Sequence, residues 1–300
     1  MHDRRCATVT ARPCGDRRVV TLCYKQHNVT LLNSAWFRTR KMDMLKRFFV
    51  ALLFAGFTLA AHATTDYSDM WFIPAESGWG VNLTQNENVI FITFFIYGPD
   101  NQPRWYVAIT ARDASGNYTG SLFSTVGPYF GLPWNPAAYA PTLAGTATFA
   151  PVNPYQGTLT YTLLGGPTVN KSIERQTLVT INLAGNYTGG QAGVYSGCAS
   201  SSLYKDNFDL QVAQGGGNVI FTFAYLFLGT SCTLSGALVQ NGQLYSVPSA
   251  SYQCDDGLNT TASLSEIRKT AQGIEGRFAA PSVGGGCRED ASFSANNLVP

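Results

Sequence analysis

From about residue 64 onward the chain consists of short apolar stretches punctuated by turn residues, and no stretch carries a convincing 3.6-residue apolar period. That one absence removes most folds. Thr158-Leu-Thr-Tyr-Thr-Leu163 alternates, which points Leu159, Tyr161 and Leu163 inward. Val89–Tyr97 is apolar at nearly every position, the pattern of a strand buried on both faces. Residues 104–110 and 219–228 read as further strands. Turn signals separate them: Gly98-Pro-Asp-Asn101, Gly165-Gly166, Gly215-Gly-Gly217, Asn241-Gly242 and Gly284-Gly-Gly286. Parallel strands need crossover connections, usually helical, and the helices are missing. The fold class is therefore all-β, with antiparallel strands joined by short hairpins into up-and-down barrels or sandwiches.

Two such domains are expected. Trp71, Trp79, Trp105 and Trp134 lie in one half of the region, and Cys198, Cys232, Cys254 and Cys287 lie in the other. The halves nevertheless echo each other. Asn88-Val-Ile-Phe91 returns as Asn218-Val-Ile-Phe221, and Thr146-Ala-Thr-Phe149 as Thr261-Ala-Ser-Leu264. Gln156-Gly157 returns as Gln272-Gly273, and Glu174-Arg175 matches Cys287-Arg288. The offsets are 130, 115, 116 and 113 in order along the chain. This predicts a tandem duplication, with a Trp-rich β-domain at 64–182 and a disulfide-bonded β-domain at 183–300. The drop in offset places an extra segment in the first domain. Residues 127–141 fit it: four prolines exclude a regular strand or helix there, and Tyr129, Phe130, Trp134 and Tyr139 give it an aromatic surface.

Residues 42–63 read as a signal peptide. A basic start with Lys46 and Arg47 precedes an apolar run over 48–61, and Ala61-His-Ala63 supplies a small-x-small cleavage site after Ala63. Residues 1–41 then read as an upstream segment added by a start assigned too early. A signal anchor with a cytoplasmic tail is the alternative, but the apolar run is about 14 residues long, where a spanning helix needs roughly 20. Cleavage changes the chemistry. His2, His27 and His62, the only histidines, all precede the cut. Of the 20 Lys/Arg and 18 Asp/Glu, 9 and 15 remain, a net charge near −6. Such a chain is a poor partner for nucleic acid, and it carries no transmembrane helix after the signal. The expected location is periplasmic or extracellular. There four cysteines read as two disulfides: Cys232 with Cys254 across a hairpin turning at Asn241-Gly242, and Cys198 with Cys287 clamping the first strand of the second domain to its last. A four-cysteine zinc site lacks the CxxC spacing, so no metal and no cofactor are expected.

Met70-Trp-Phe-Ile-Pro-Ala-Glu-Ser-Gly-Trp-Gly80, followed by Val89–Tyr97 and Pro103-Arg-Trp-Tyr106, resembles a largely uncharacterised family of exported proteobacterial β-modules. The family is marked by a Pro-Ala-Glu-Ser-Gly-Trp-Gly start and a Pro-x-Trp-Tyr strand. Here Phe72-Ile73 stands where the family pattern has a polar pair. The resemblance implies export and an all-β fold, and it implies no particular ligand.

Serine and cysteine triads lack their histidine base. What remains for catalysis is a carboxylate pair, drawn from Glu76, Asp100, Asp113 and Glu174. Glu76 heads these because a neighbouring Trp79 could raise its pKa by desolvation, although a carboxylate in such a turn more simply accepts hydrogen bonds from amides. Asp255-Asp-Gly-Leu-Asn259 reads as a β-turn rather than a calcium loop. Trp71, Trp79 and Trp105 either fill the first core or form an aromatic platform. Trp134, flanked by prolines, reads as exposed. The leading expectation is a non-enzymatic binding or interaction module for an envelope glycan or protein. It would use Trp134, Tyr129, Phe130 and Tyr139, with Trp79 and Trp105. A glycosidase-like hydrolase built on Glu76 and a purely structural or inhibitory β-domain are the alternatives.

Overall fold

The computed structural model describes residues 65–198, 201–283 and 286–298, together with the backbone of β1 (Cys6–Thr8) and β2 (Thr21–Cys23). β1 and β2 pair antiparallel with Cys6 opposite Cys23. The remainder of the expected upstream segment and signal peptide lies outside the described residues. Residues 63–300 form one compact unit.

The first half of that unit is a meander of eight strands: β3 (Asp69–Phe72), β4 (Gly80–Asn86), β5 (Val89–Tyr97), β6 (Pro103–Arg112), β7 (Tyr118–Val126), β8 (Ala140–Pro151), β9 (Gln156–Leu163) and β10 (Thr168–Arg175). Each pairs antiparallel with the next, and β10 returns to β3, which closes a barrel. Of the two expected architectures, this is the barrel. Alternation along each strand fills it. Trp71, Val81, Leu83, Ile90, Ile92, Phe94, Ala108, Tyr118, Leu122, Phe149 and Leu159 are buried in one cluster. Each fully buried large side chain contributes about 1.5–3 kcal/mol relative to exposure. Leu159 is buried as expected, with Tyr161 and Leu163 packed partly buried against the same core.

β5 corrects one expectation. Ile90, Ile92 and Phe94 point inward, but Val89, Phe91, Phe95 and Tyr97 are exposed. A closed barrel has a single interior, and among the described residues no second layer covers the outside of this strand. An apolar run therefore has one buried face and one bare one.

The second sheet comprises β11 (Gly185–Ser196), β12 (Ser202–Gly215), β13 (Asn218–Tyr225), β14 (Ser231–Ala237), β15 (Val239–Asn241), β16 (Leu244–Cys254), β17 (Asn259–Lys269), β18 (Gly273–Ala280) and β19 (Arg288–Asn297). β11 pairs with β19, and β14 pairs with β16 as well as β13, so eight of these strands also close on themselves. β15 is a short extra arm folded onto β16. The expected strand over 219–228 stops at Tyr225, and residues 226–228 turn at the surface. Both expected disulfides are present. Cys232 and Cys254 are register partners across β14 and β16, and Cys198–Cys287 ties the end of β11 to the start of β19. The Asn241-Gly242 turn joins β15 to β16 inside the first of these loops.

The meanders correspond strand for strand, with β3 matching β11, β5 matching β13 and β8 matching β17. Asn88-Val-Ile-Phe91 and Asn218-Val-Ile-Phe221 open corresponding strands, as do Gln156-Gly157 and Gln272-Gly273. The fourth echo fails in detail: Glu174-Arg175 closes β10, whereas Cys287-Arg288 opens β19. Residues 127–139 join β7 to β8, where the second barrel uses only 255–258.

The barrels meet at a buried ion pair. Arg175 Nη1 lies 3.1 Å from Asp69 Oδ2, and neither side chain is exposed. Arg175 also donates to the carbonyls of Pro154, Ser68 and Asp66, and it lies over the Trp71 ring at 5.0 Å. The tip of the β15–β16 hairpin completes the cluster. Gln243 donates its backbone N–H to Asp69 Oδ2 at 3.0 Å and its side-chain amide to Oδ1 at 3.1 Å. The tip residue, Gly242, has φ 65°, and a Cβ there would collide with the Asp69 carboxylate and the Arg175 side chain. Glycine is required on both counts. A register shift between Ser265 and Arg268 in β17 leaves Glu266 at φ 52°, where its amide donates to the Tyr155 hydroxyl of the first barrel.

Candidate functional surface

Strand direction sorts the first barrel's loops into two groups. The chain enters at Asp69 and leaves at Arg175 beside the second barrel. The connections 73–79, 98–102, 127–139 and 164–167 therefore all lie at the opposite, distal end. Glu76, Trp79 and the 127–139 loop share this end, and Trp105 lies on the outer wall just below it.

The loop is ordered by local bonds. Asn135 caps a single 3-10 turn, Pro136–Ala138, by accepting from the Ala137 N–H at 3.1 Å, and Pro136 occupies the first position of that turn. Pro141 lies in the opening of β8, opposite Thr125. The prolines thus do not exclude regular structure throughout 127–141. Pro136 and Pro141 sit where a missing N–H costs little, at the start of a helical turn and near the start of a strand, while Pro128 and Pro133 lie in irregular loop as expected. The aromatic side chains face solvent. Phe130 is fully exposed and Trp134 is 67% exposed, with Tyr129, Leu132 and Tyr139 also exposed. The Trp134 and Tyr139 rings lie 6.4 Å apart.

The other tryptophans divide. Trp71 is core. Trp79 is half-buried against the core, and its indole N–H donates to Glu76 Oε2 at 3.1 Å. Trp105 is 51% exposed on the outer wall, opposite Phe95. From there cross-strand neighbours extend the apolar surface: Phe91 faces Ile109, Val107 faces Phe123, and Phe123 faces the exposed Leu143 just beyond the aromatic loop. Motif reading alone found the loop but not this wall. Its signal was present in Val89–Tyr97, where Val89, Phe91, Phe95 and Tyr97 lie on a face that no other described residues cover.

Glu76 sits in a different environment from that of a general acid. Lys171 Nζ lies 2.6 Å from its Oε2 and also stands over the Trp79 ring at 5.7 Å. The lysine hydrogen bond, offset in part by desolvation, holds the carboxyl below its usual pKa. The expected elevation by Trp79 is absent because the indole N–H bonds the carboxylate instead of desolvating it. Asp100 pairs with Arg104 at 2.6 Å. Asp113 accepts from the turn amides of Ser115 and Asn117, and Glu174 lies in the last turn's length of β10, both at the other end of the barrel. No carboxylate pair flanks a common cleft among these four. Asp256 likewise accepts from a turn amide, that of Leu258, and Asp255 accepts from the amide of Ser231 at the start of β14.

Among the described residues no helix is long and apolar enough to cross a membrane. No protein-family model matches the chain, and no curated protein is similar enough to match. Solved structures with a related strand arrangement exist. Transferrin binding protein B of Haemophilus parasuis, as a Tyr-167-Ala and Trp-176-Ala double mutant, matches at 14% identity and a TM-score of 0.28. It covers 80% of this chain, which spans only 42% of that one. A provisionally named outer membrane protein of Bacteroides fragilis matches at 10% identity and a TM-score of 0.29, covering 76% of this chain and 94% of its own. Transferrin binding protein B of Neisseria meningitidis matches at 10% identity and a TM-score of 0.24, over 74% of this chain and 66% of that one. At these scores the functional reading rests on this chain's own surface.

Proposed function

We propose that the protein is an exported, non-enzymatic binding module that docks a protein of the cell envelope through the distal end and adjoining wall of its first barrel. The Pro-Ala-Glu-Ser-Gly-Trp-Gly signature and the two disulfides support export. One observation carries the docking reading. A fully exposed Phe130, with Tyr129, Leu132 and Trp134, continues across the register into Leu143, Phe123, Val107, Ile109, Trp105 and Phe95. Monomeric proteins rarely expose so much contiguous apolar surface without a partner for it. The aliphatic share favours a protein over a glycan. Ile109, Leu132 and Leu143 offer neither a flat ring for a sugar face nor a hydrogen bond for its hydroxyls.

The test is retention of the mature protein on envelope fractions, before and after protease treatment of those fractions. Phe130→Ser combined with Trp134→Ala should weaken retention roughly tenfold or more, since exposed aromatic anchors dominate such interfaces. The thermal midpoint should barely move, because neither side chain supports the core. Retention that survives both the double substitution and proteolysis, but falls on glycan digestion, would replace the protein partner with a glycan. Unchanged retention of the double variant would remove the loop from the function.

A further inference from the structure

The distal mouth of the second barrel is built from other material. Inward positions near the ends of β11, β12, β13, β16 and β19 carry Gln191, Tyr195, Tyr204, Asp206, Tyr225, Tyr252 and Glu289 in place of aliphatic residues. One layer deeper the core is apolar, with Phe208, Phe223, Phe278 and Phe293. The polar layer surrounds a cavity of about 370 Å³ that reaches Leu228, Thr230, Leu258 and Val283 at its rim. That is enough for a small organic ligand, and barrel mouths are common sites for one. Both disulfides border the cavity and pin the strands that form it.

The charges in this mouth share one sign. Asp206, Asp256 and Glu289 line the cavity, and among the described residues no lysine, arginine or histidine does. Glu289 is the most enclosed of them at 4% exposure. Its Oε1 accepts the Tyr204 hydroxyl, and among the described residues no second donor reaches the carboxylate. The rest of the network is internal: Gln191 donates to the Tyr204 oxygen and accepts from the Tyr225 hydroxyl. The adjacent cation, Arg288, is engaged by Asp290 at 2.7 Å on the exposed side of the strand. A carboxylate this enclosed is costly to keep charged unless something positive occupies the cavity beside it. Burial, reinforced by the charges of Asp206 and Asp290, pushes the Glu289 carboxyl above its usual range, and burial holds Tyr195 up to about 12.

We propose that this mouth binds a small organic cation of the ammonium type, with its charge against Glu289 and its alkyl groups against the rings of Tyr195, Tyr225 and Tyr252. Tyrosine rings beside a carboxylate are the chemistry that recognises a substituted ammonium: the ring faces attract the cation and shed water from its methyl groups. A neutral sugar would leave Glu289 uncompensated, and an anion would meet three carboxylates. The site is separate from the first-barrel surface and does not depend on the role proposed for it.

The experiment titrates the full, disulfide-bonded chain with choline and, separately, with its neutral isostere 3,3-dimethylbutan-1-ol, following binding by calorimetry and thermal shift. Choline should bind saturably, and the isostere roughly tenfold or more weakly. Glu289→Gln should erase the difference between the two. Tyr252→Phe, which keeps the ring, should retain it. Equal binding of choline and the isostere by the wild-type chain, or no saturable choline binding, would overturn the proposal. Both of those outcomes are read on unmutated protein, so they hold even if a variant folds poorly.

Discussion

The two barrels share one meander and place their chemistry on opposite sides of the wall. Outward positions of β5 carry Val89, Phe91, Thr93, Phe95 and Tyr97, whereas those of the corresponding strand of the second barrel, β13, carry Asn218, Ile220, Thr222 and Ala224, with no exposed aromatic ring among them. Inside, the order is reversed. Ile73, Trp79, Ile96, Tyr106 and Tyr161 pack against the first core toward its distal end, and a glutamate among tyrosines lines a cavity at the second. The backbone topology fixes which residues face in and which face out. It does not fix which face does the recognising. That is decided at alternate positions, one residue at a time.

The largest test of this comparison is to uncouple the barrels. Arg175→Ala leaves Asp69 buried with its charge uncompensated and strips a donor from three backbone carbonyls. It should cost at the upper end of about 3–5 kcal/mol and split one thermal transition into two. A single transition at the wild-type midpoint would mean the barrels do not rely on this contact. Next, removing the Cys232–Cys254 bridge, which closes a loop of sequence separation 22, should cost about 3 kcal/mol by the loop-entropy argument. The loss should appear only in the transition of the second barrel, as differential melting of the Arg175→Ala background would show.

The smallest effect concerns the polar mouth. Glu289 has its pKa raised above 4.5 in the folded state. Above that pH the native state holds a proton that the unfolded chain releases, so this group's contribution falls as pH rises through the folded pKa. Glu289→Gln should therefore raise stability near neutral pH by about 1 kcal/mol and flatten the decline above pH 4.5. Glu266, raised in the same direction by burial, should leave part of the slope in place. A variant less stable at pH 7 than at pH 5 by the wild-type margin would show that Glu289 stays ionised throughout.

Much of the framework was legible before any coordinates. Both disulfides, the antiparallel strands and the inserted aromatic loop followed from spacing, because each is a local or pairwise constraint. The outer wall was not. A strand apolar on both faces reads the same whether a second layer covers it or not, so Phe91 and Phe95 read as core positions that closure of the barrel denies them. Arg175 and Glu289 were hidden for another reason. Both occur in charged runs, Glu174-Arg175 and Arg288-Glu-Asp290, that resemble ordinary solvated surface. What buries them is a partner 106 residues away in one case and the inward turn of alternate residues in the other.

Gly242 carries a practical consequence for anyone dissecting the molecule. The hairpin tip of the second barrel supplies two of the hydrogen bonds that keep Asp69 of the first barrel satisfied. Cutting the chain in the linker after Arg175 would therefore yield a first fragment with an open wound at its base, even though every one of its strands remained. A separable first piece would have to carry its own substitute for Gln243, or lose Asp69 and Arg175 together in favour of a neutral pair. The smallest unit that can be grafted, swapped or shortened is defined by that contact and not by the end of a strand.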